Sequence, residues 1–188
     1  MSDDISTSNQ GPILLDPFSR RIEYVRLSVA DKCNLRCFYC LPENFKQFES
    51  PQHWLTFDEI ERIIRAFTEL GVARVRITGG EPLVRKNLPQ LARQLKALPG
   101  LADLSISTNA VLLRRYAEAL HEAGITRLNV SLDSLDEHRF KRITGGDLKP
   151  VLDGLMAAKE TGFTPIKINM VAMKGVNDDE FDNMVEFC

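Results

Sequence analysis

The stretch TFDEIERIIRAFTELGVARVRITGG, residues 56–80, contains the repeating unit of the fold. Thr56, followed three residues later by Glu59, forms a capping-box pattern, which predicts a helix start. Ile60, Ile63, Ile64, Phe67 and Leu70 then recur at helical spacing, and Gly71 supplies the stop. Val72 to Thr78 alternates and is rich in β-formers, which predicts a strand, and Gly79-Gly80 breaks it.

The same alternation runs outward in both directions. Upstream, Tyr24 to Val29 reads as a strand. Downstream come a helix over Leu88 to Leu98, a strand over Leu104 to Thr108, and a helix over Leu112 to Ala123 closed by Gly124. A strand over Arg127 to Leu132, helical turns near Asp136 to Ile143, and a helix over Val151 to Thr161 closed by Gly162 follow. A strand over Ile166 to Val171 and a helix from Asp178 to Phe187 end the series. Strands alternating with helices predict an α/β fold with a parallel sheet and right-handed crossovers. The pattern leaves a barrel-like sheet and an open doubly wound sheet both open. The chemically unusual residues fall at the C-terminal ends of the strands: Cys33 to Cys40, Gly79-Gly80-Glu81-Pro82, Ser107-Thr108-Asn109 and Ser131-Leu132-Asp133. Parallel α/β folds bind ligands at that edge, so one site built from four strand ends is expected.

The 188 residues, 44% hydrophobic and 27% charged, suit one globular core. Lys plus Arg total 24 against 26 for Asp plus Glu, a net charge of -2, which gives no reason to expect nucleic acid or an anionic membrane as partner. No apolar run is long enough to span a bilayer, and Met1 to Gly11 lacks the basic start and apolar stretch of a signal peptide, so a cytoplasmic protein is expected. Three of the four cysteines fall within eight residues, which in a leaderless chain predicts metal binding rather than a disulfide framework.

Cys33-Asn34-Leu35-Arg36-Cys37-Phe38-Tyr39-Cys40 has the spacing C-x3-C-x2-C. Thiolates are soft ligands suited to zinc or to iron–sulfur iron. Three thiolates on a four-iron cluster leave one iron open to an external ligand. The competing reading is a structural zinc site completed by Cys188 or a histidine, although no second CxxC or Cys/His pair is present. Arg26, Arg76 and Lys167 lie inside predicted strands of a sheet expected to be apolar on both faces. They predict either a pocket for an anionic ligand or residues reaching solvent at a strand rim. Arg74 shares the face of Arg76. The paired glycines after Thr78 allow close backbone approach to a ligand or a simple turn.

The cysteine loop resembles that of the radical S-adenosylmethionine (SAM) superfamily. Its flanks, Arg26-Leu27-Ser28-Val29-Ala30-Asp31-Lys32 and Cys40-Leu41-Pro42, together with Arg76-Ile77-Thr78-Gly79-Gly80-Glu81-Pro82-Leu83-Val84-Arg85, resemble the GTP 3′,8-cyclase family of molybdenum cofactor biosynthesis. The likeness runs from about Arg20 to the end. It implies a partial (βα)6 TIM-type barrel over residues 20–188, incomplete at its C-terminal side, preceded by a flexible tail over 1–19. It implies a 4Fe–4S cluster on Cys33, Cys37 and Cys40, SAM bound at its open iron, and a 5′-deoxyadenosyl radical that turns GTP into 3′,8-cyclo-7,8-dihydro-GTP. By the same resemblance Tyr39, Gly80 and Ser131 match SAM contacts, and Arg26, Arg76, Ser107 and Lys167 match GTP contacts, with Thr108 competing with Ser107. The implied partners are a reductant such as flavodoxin or ferredoxin, a downstream cyclic pyranopterin monophosphate synthase, and a second copy in a homodimer. Other implied readings are a different radical SAM enzyme, such as a peptide-modifying one, or a non-enzymatic zinc-binding fragment.

The sequence departs from the family pattern in two places. Ala110 stands where the family has glycine, which adds strain if that backbone needs positive φ. The three further cysteines of a second C-terminal cluster, a later SAM-contacting methionine, a final barrel strand and a tail of paired glycines lie beyond this sequence. A full TIM barrel needs about 250 residues, so the chain is expected to be a fragment of a longer protein.

Overall fold

Five strands pair in chain order, and that order fixes the architecture. The computed structural model describes residues 12–40, 42, 45, 48, 49 and 51–188. β1 (Tyr24–Ser28), β2 (Arg74–Thr78), β3 (Asp103–Thr108), β4 (Arg127–Ser131) and β5 (Ile166–Asn169) form one sheet in the order β1-β2-β3-β4-β5, every neighbour parallel. Each right-handed crossover steps one strand in the same direction, so the connecting helices all fall on one face. A doubly wound sheet would reverse the order partway and cover both faces. The sheet is therefore of the barrel type. The helices are α1 (Phe57–Glu69), α2 (Leu88–Lys96), α3 (Leu113–Glu122), α4 (Glu137–Thr144), α5 (Lys149–Thr161) and α6 (Phe181–Phe187). Among the described residues six α-helices accompany five strands because the crossover from β4 to β5 contains both α4 and α5.

The two sheet faces differ completely. The helix-covered face carries Val25, Leu27, Val75, Ile77, Leu104, Ile106, Leu128, Val130, Ile166 and Ile168, which join the hydrophobic core. The opposite face carries only Tyr24, Arg26, Ser28, Arg74, Arg76, Thr78, Asp103, Ser105, Ser107, Arg127, Asn129, Ser131, Lys167 and Asn169. This corrects the expectation of strands apolar on both faces. With helices on one side only, period-2 alternation leaves the other side free to be polar.

Local sequence sets the helix ends. Thr56 accepts a hydrogen bond from the Glu59 amide while the Glu59 carboxylate accepts from the Thr56 amide at 2.7 Å, closing the capping box of α1. Gly71 follows at φ 93. α5 starts at Lys149, two residues before the expected Val151, because Pro150 occupies its first turn. α6 starts at Phe181 rather than Asp178, because residues 173–180 fold into turns around Asn177.

Residues 1–11 of the expected tail lie outside the described residues. Pro12 to Ile22 form a bonded turn: Leu15 bridges Arg21, and the Leu14 amide donates to the Leu70 carbonyl at 3.1 Å.

Candidate functional site

The segment from Asp31 to Cys40 leaves the C-terminal end of β1 and is fastened on four sides. β1–β2 pairing continues past the strands: the Val29 amide donates to Thr78 at 2.9 Å, Gly80 to Ala30 at 2.7 Å, and Glu81 to Lys32 at 2.8 Å. A Cβ added to Gly80 would lie 2.5 Å from the Asp31 carbonyl oxygen, and Gly79 holds φ 151 against Ala30. The paired glycines thus let β2's exit lie directly on the backbone that leads into Cys33. The close approach they permit is to the cysteine loop itself, while the Gly80 backbone stays exposed at the site. On the far side, the Arg36 and Phe38 amides donate to Thr144 and Ile143 at the end of α4 at 2.8 and 3.1 Å, and Leu35 is buried.

The third and fourth fastenings come from the ends of β3 and β4. Asn109 Nδ2 donates to Asn34 Oδ1 at 2.8 Å and to Cys33 Sγ at 3.6 Å. The Tyr39 hydroxyl donates to Asp133 Oδ2 at 2.6 Å. The exits of β2, β3 and β4 therefore do meet on the cysteine loop, as their motifs predicted.

Glu81 is the strut behind this arrangement. Its carboxylate is 1% exposed and accepts from the Leu83 amide at 3.0 Å, the Thr108 hydroxyl at 2.7 Å and the Asn109 amide at 2.7 Å. Burial raises its affinity for a proton, and those three donors oppose the rise. Thr108 spends its hydroxyl on Glu81 and on the Ala110 amide at 3.0 Å, whereas Ser107 lies on the open polar face. Ala110 sits at φ 61, so the alanine does occupy a left-handed position.

All four cysteines are free thiols. Burial pushes the Cys33 thiol up, and it pushes Cys37 up to about 11; Cys33 and Cys40 act electrostatically on Cys37 in the same direction. Tyr39 is raised chiefly by burial, then by its bond to Asp133. Among the described residues no three His, Cys, Asp or Glu side chains close around a single metal ion. A four-iron cluster is gripped at its corners by soft thiolates from one loop, and the donor set Cys33, Cys37 and Cys40 on a pinned backbone fits that group. Behind the loop, a groove of about 700 Å³ exposes Cys33 and Asn34 between Trp54, Phe57 and Arg85. Arg85 is buried, donates to the Val29 and Leu55 carbonyls, and stacks on Phe57 at 4.7 Å.

Arg26, Arg76, Ser107, Ser131 and Lys167 all lie on the polar face that runs below the loop. Register places Arg26 beside Arg76, Arg76 beside Ser105, and Ser105 beside Arg127. Lys167 sits beside Asn129, and Ser131 beside Asn169. Arg76 stacks on Tyr24 at 5.4 Å. Its Nε, Ser105 Oγ and Arg127 Nε are buried with no hydrogen-bond partner. The face has one acid, Asp103, which pairs with Arg127; Arg74 leans on Glu23 at 3.7 Å. A cationic face with unspent donors fits an anionic ligand. Sequence reading did not single out Glu81, Asn109 or Asp133 as individual residues. Their only signal was membership of the strand-end motifs.

Residues 27–188 match the Radical SAM superfamily. The chain is 52% identical over 176 residues to the GTP 3′,8-cyclase of Hydrogenovibrio crunogenus, covering 93% of this chain and 53% of that protein. It is 49% identical to that of Listeria monocytogenes over the same shares. The chain thus spans about half the length of the curated relatives it matches. Among solved structures it resembles Streptococcus suis SuiB bound to S-adenosylmethionine, with a TM-score of 0.74 at 23% identity over 88% of this chain and 37% of that one. It also resembles the coproporphyrinogen III oxidase HemN of Escherichia coli, with a TM-score of 0.62 at 18% identity over 97% of this chain and 43% of that one. The match of the superfamily over most of the chain, on a sheet of the barrel type with its cysteine loop at the strand ends, establishes that the chain belongs to the radical SAM superfamily.

Proposed function

We propose that residues 20–188 form the incomplete barrel domain of a GTP 3′,8-cyclase, a lyase that converts GTP to 3′,8-cyclo-7,8-dihydro-GTP. The observation that carries this reading is the sheet face below the cysteine loop, where Arg26, Arg76 and Lys167 project among serines and asparagines with no aliphatic side chain. A triphosphate suits such a face, because guanidinium forks match phosphate oxygens.

In this reading Cys33, Cys37 and Cys40 hold a 4Fe–4S cluster, and Tyr39, Gly80 and Ser131 contact SAM. Cluster and SAM together supply the one-electron cleavage that generates a carbon radical. The protein positions the reactants and excludes water. Ser107, with its free position on the polar face, is the GTP contact in preference to Thr108. The flavodoxin- or ferredoxin-type reductant, the downstream cyclic pyranopterin monophosphate synthase, the homodimer and the cytoplasmic setting extend the same proposal. Among the described residues no helix is long and apolar enough to cross a membrane. A second cluster would need cysteines beyond the four in this sequence.

The test is electron paramagnetic resonance of anaerobically reconstituted, reduced protein, with SAM and then GTP added. A cluster signal that shifts with SAM, together with measurable GTP binding, is expected. A signal indifferent to SAM, or GTP binding absent while SAM binds, overturns the cyclase reading.

A further inference from the structure

Asp133 is 3% exposed, and among the described residues no cation pairs with it. A buried carboxylate in that position has to be held by neutral donors. Two are present on separate elements. Oδ2 accepts from the Tyr39 hydroxyl at 2.6 Å, across 94 residues of chain, and Oδ1 accepts from the Val171 amide at 2.9 Å, just past β5. The backbone of Asp133 is braced in turn. Asn177, fully buried, donates from Nδ2 to the Asp133 carbonyl at 2.8 Å and to the Val171 carbonyl at 3.0 Å, and its Oδ1 accepts from the Met173 amide at 2.8 Å. The carboxylate therefore cannot swing away to follow a moving loop. Its free end holds the single turn in which Tyr39 lies between Cys37 and Cys40, where the Cys40 amide donates to the Cys37 carbonyl at 3.0 Å.

We propose that Asp133 is a positioning residue: through the Tyr39 hydroxyl it locks the Cys37–Cys40 turn to the exits of β4 and β5 before any cluster is present. The inference rests on the cluster and SAM reading above. Ser131, the SAM contact of that reading, is two residues away on the same strand exit. Asp133 thus ties the spacing between the thiolates and Ser131 to one hydrogen bond. Catalytic geometry is sensitive to displacements of about 1 Å; the backbone before Tyr39 is held by the Phe38 amide on Ile143, and its ring meets Phe38 edge-on at 5.9 Å, so the bond to Asp133 is what fixes the hydroxyl end of the side chain.

The test compares Tyr39→Phe, Asp133→Ala, Asp133→Asn and the Tyr39→Phe/Asp133→Ala double variant. Tyr39→Phe deletes only the hydroxyl and leaves the Val171 and Asn177 bonds intact, so it remains informative if Asp133→Ala fails to fold. Asn at 133 keeps an oxygen for Val171 and offers an N–H to the tyrosine oxygen, and should rescue. In cluster-free protein, hydrogen exchange at residues 35–40 should accelerate about tenfold in Tyr39→Phe, the scale of one lost charge-assisted bond. After reconstitution, SAM should bind about tenfold more weakly in Asp133→Ala, which leaves the Tyr39 side chain itself in place, at unchanged iron content and unchanged GTP affinity, and the double variant should be no worse than Asp133→Ala. Wild-type exchange in Tyr39→Phe with wild-type SAM affinity in Asp133→Ala, or equal losses for SAM and GTP, would overturn the assignment. Wild-type protein that takes up no SAM-responsive cluster would instead overturn the functional reading, and the exchange measurement on cluster-free protein would still decide this one.

Discussion

Replacing Gly154 with alanine sets two well-measured effects against each other. Gly154 lies in the middle of α5, where helix propensity alone favours alanine by about 1 kcal/mol. Packing opposes it. A Cβ built there would fall inside 3.0 Å of the Ala110 carbonyl oxygen and 3.1 Å from the Leu113 Cβ. Neither neighbour can yield cheaply. The Ala110 carbonyl accepts from the Leu113 amide at 3.0 Å in a turn already held at φ 61, and Leu113 is fully buried at the start of α3. Overpacking against such a wall costs about 1–3 kcal/mol, and backbone rather than a flexible side chain puts this case at the upper end. The net expectation is a loss of about 1–2 kcal/mol, read as a lower urea midpoint at unchanged slope in cluster-free protein. The effect should reach the site as well. Asn109, next to the displaced Ala110, carries the bonds to Asn34 and Cys33, so reconstituted iron content should fall in parallel. A Gly154→Ala protein at least as stable as wild type would refute the packing argument and leave propensity as the dominant effect.

The remaining predictions concern the loop and the polar face. Glu81→Gln should destabilise by about 1–3 kcal/mol in urea melts, because an amide offers one acceptor where three donors converge. Burial raises the Glu81 carboxyl above its ordinary value of 4.5, so its contribution is complete below that pH and declines as pH rises through the folded value. The gap between wild type and Glu81→Gln should therefore narrow toward neutral pH; a gap that widens would mean the three donors outweigh burial. Cys37→Ala should abolish cluster assembly, measured as iron and sulfide, and full retention of both would remove Cys37 from the ligand set. Arg26→Ala should weaken GTP binding, measured by calorimetry, while leaving the cluster spectrum unchanged; unaltered GTP affinity would separate the polar face from the nucleotide.

Secondary structure was legible because its signals are local. The capping box at Thr56 and Glu59 and the glycine at 71 each lie within a few residues of what they control, and helix α1 formed between them. The family's glycine at position 110 raised positive φ there only as a condition, and Ala110 meets it at φ 61. Glu81, Asn109 and Asp133 were not legible as individuals. Their partners lie 28, 76 and 94 residues away, at distances no periodicity encodes, and Asn109 and Asp133 are of types that serve as readily in a turn. The motifs around them gave the neighbourhood, and the fold had to supply the pairings.

The choice between barrel and open sheet was present in the sequence and was obscured by a premise. Tyr24, Arg26 and Ser28; Arg74, Arg76 and Thr78; Ser105 and Ser107; Arg127, Asn129 and Ser131; Lys167 and Asn169 alternate with aliphatic residues in every strand. A sheet sandwiched between two helix layers could not tolerate that pattern, because one helix layer would have to pack on arginine and asparagine. Five strands polar on the same face require helices on one side only, and strands that advance in a single direction satisfy this. The basic residues that looked anomalous against a two-sided apolar sheet are regular members of an inward-facing polar layer. The unusual feature is narrower: buried Arg76 Nε, Ser105 Oγ and Arg127 Nε share one register row without partners, on the face proposed above to hold the nucleotide.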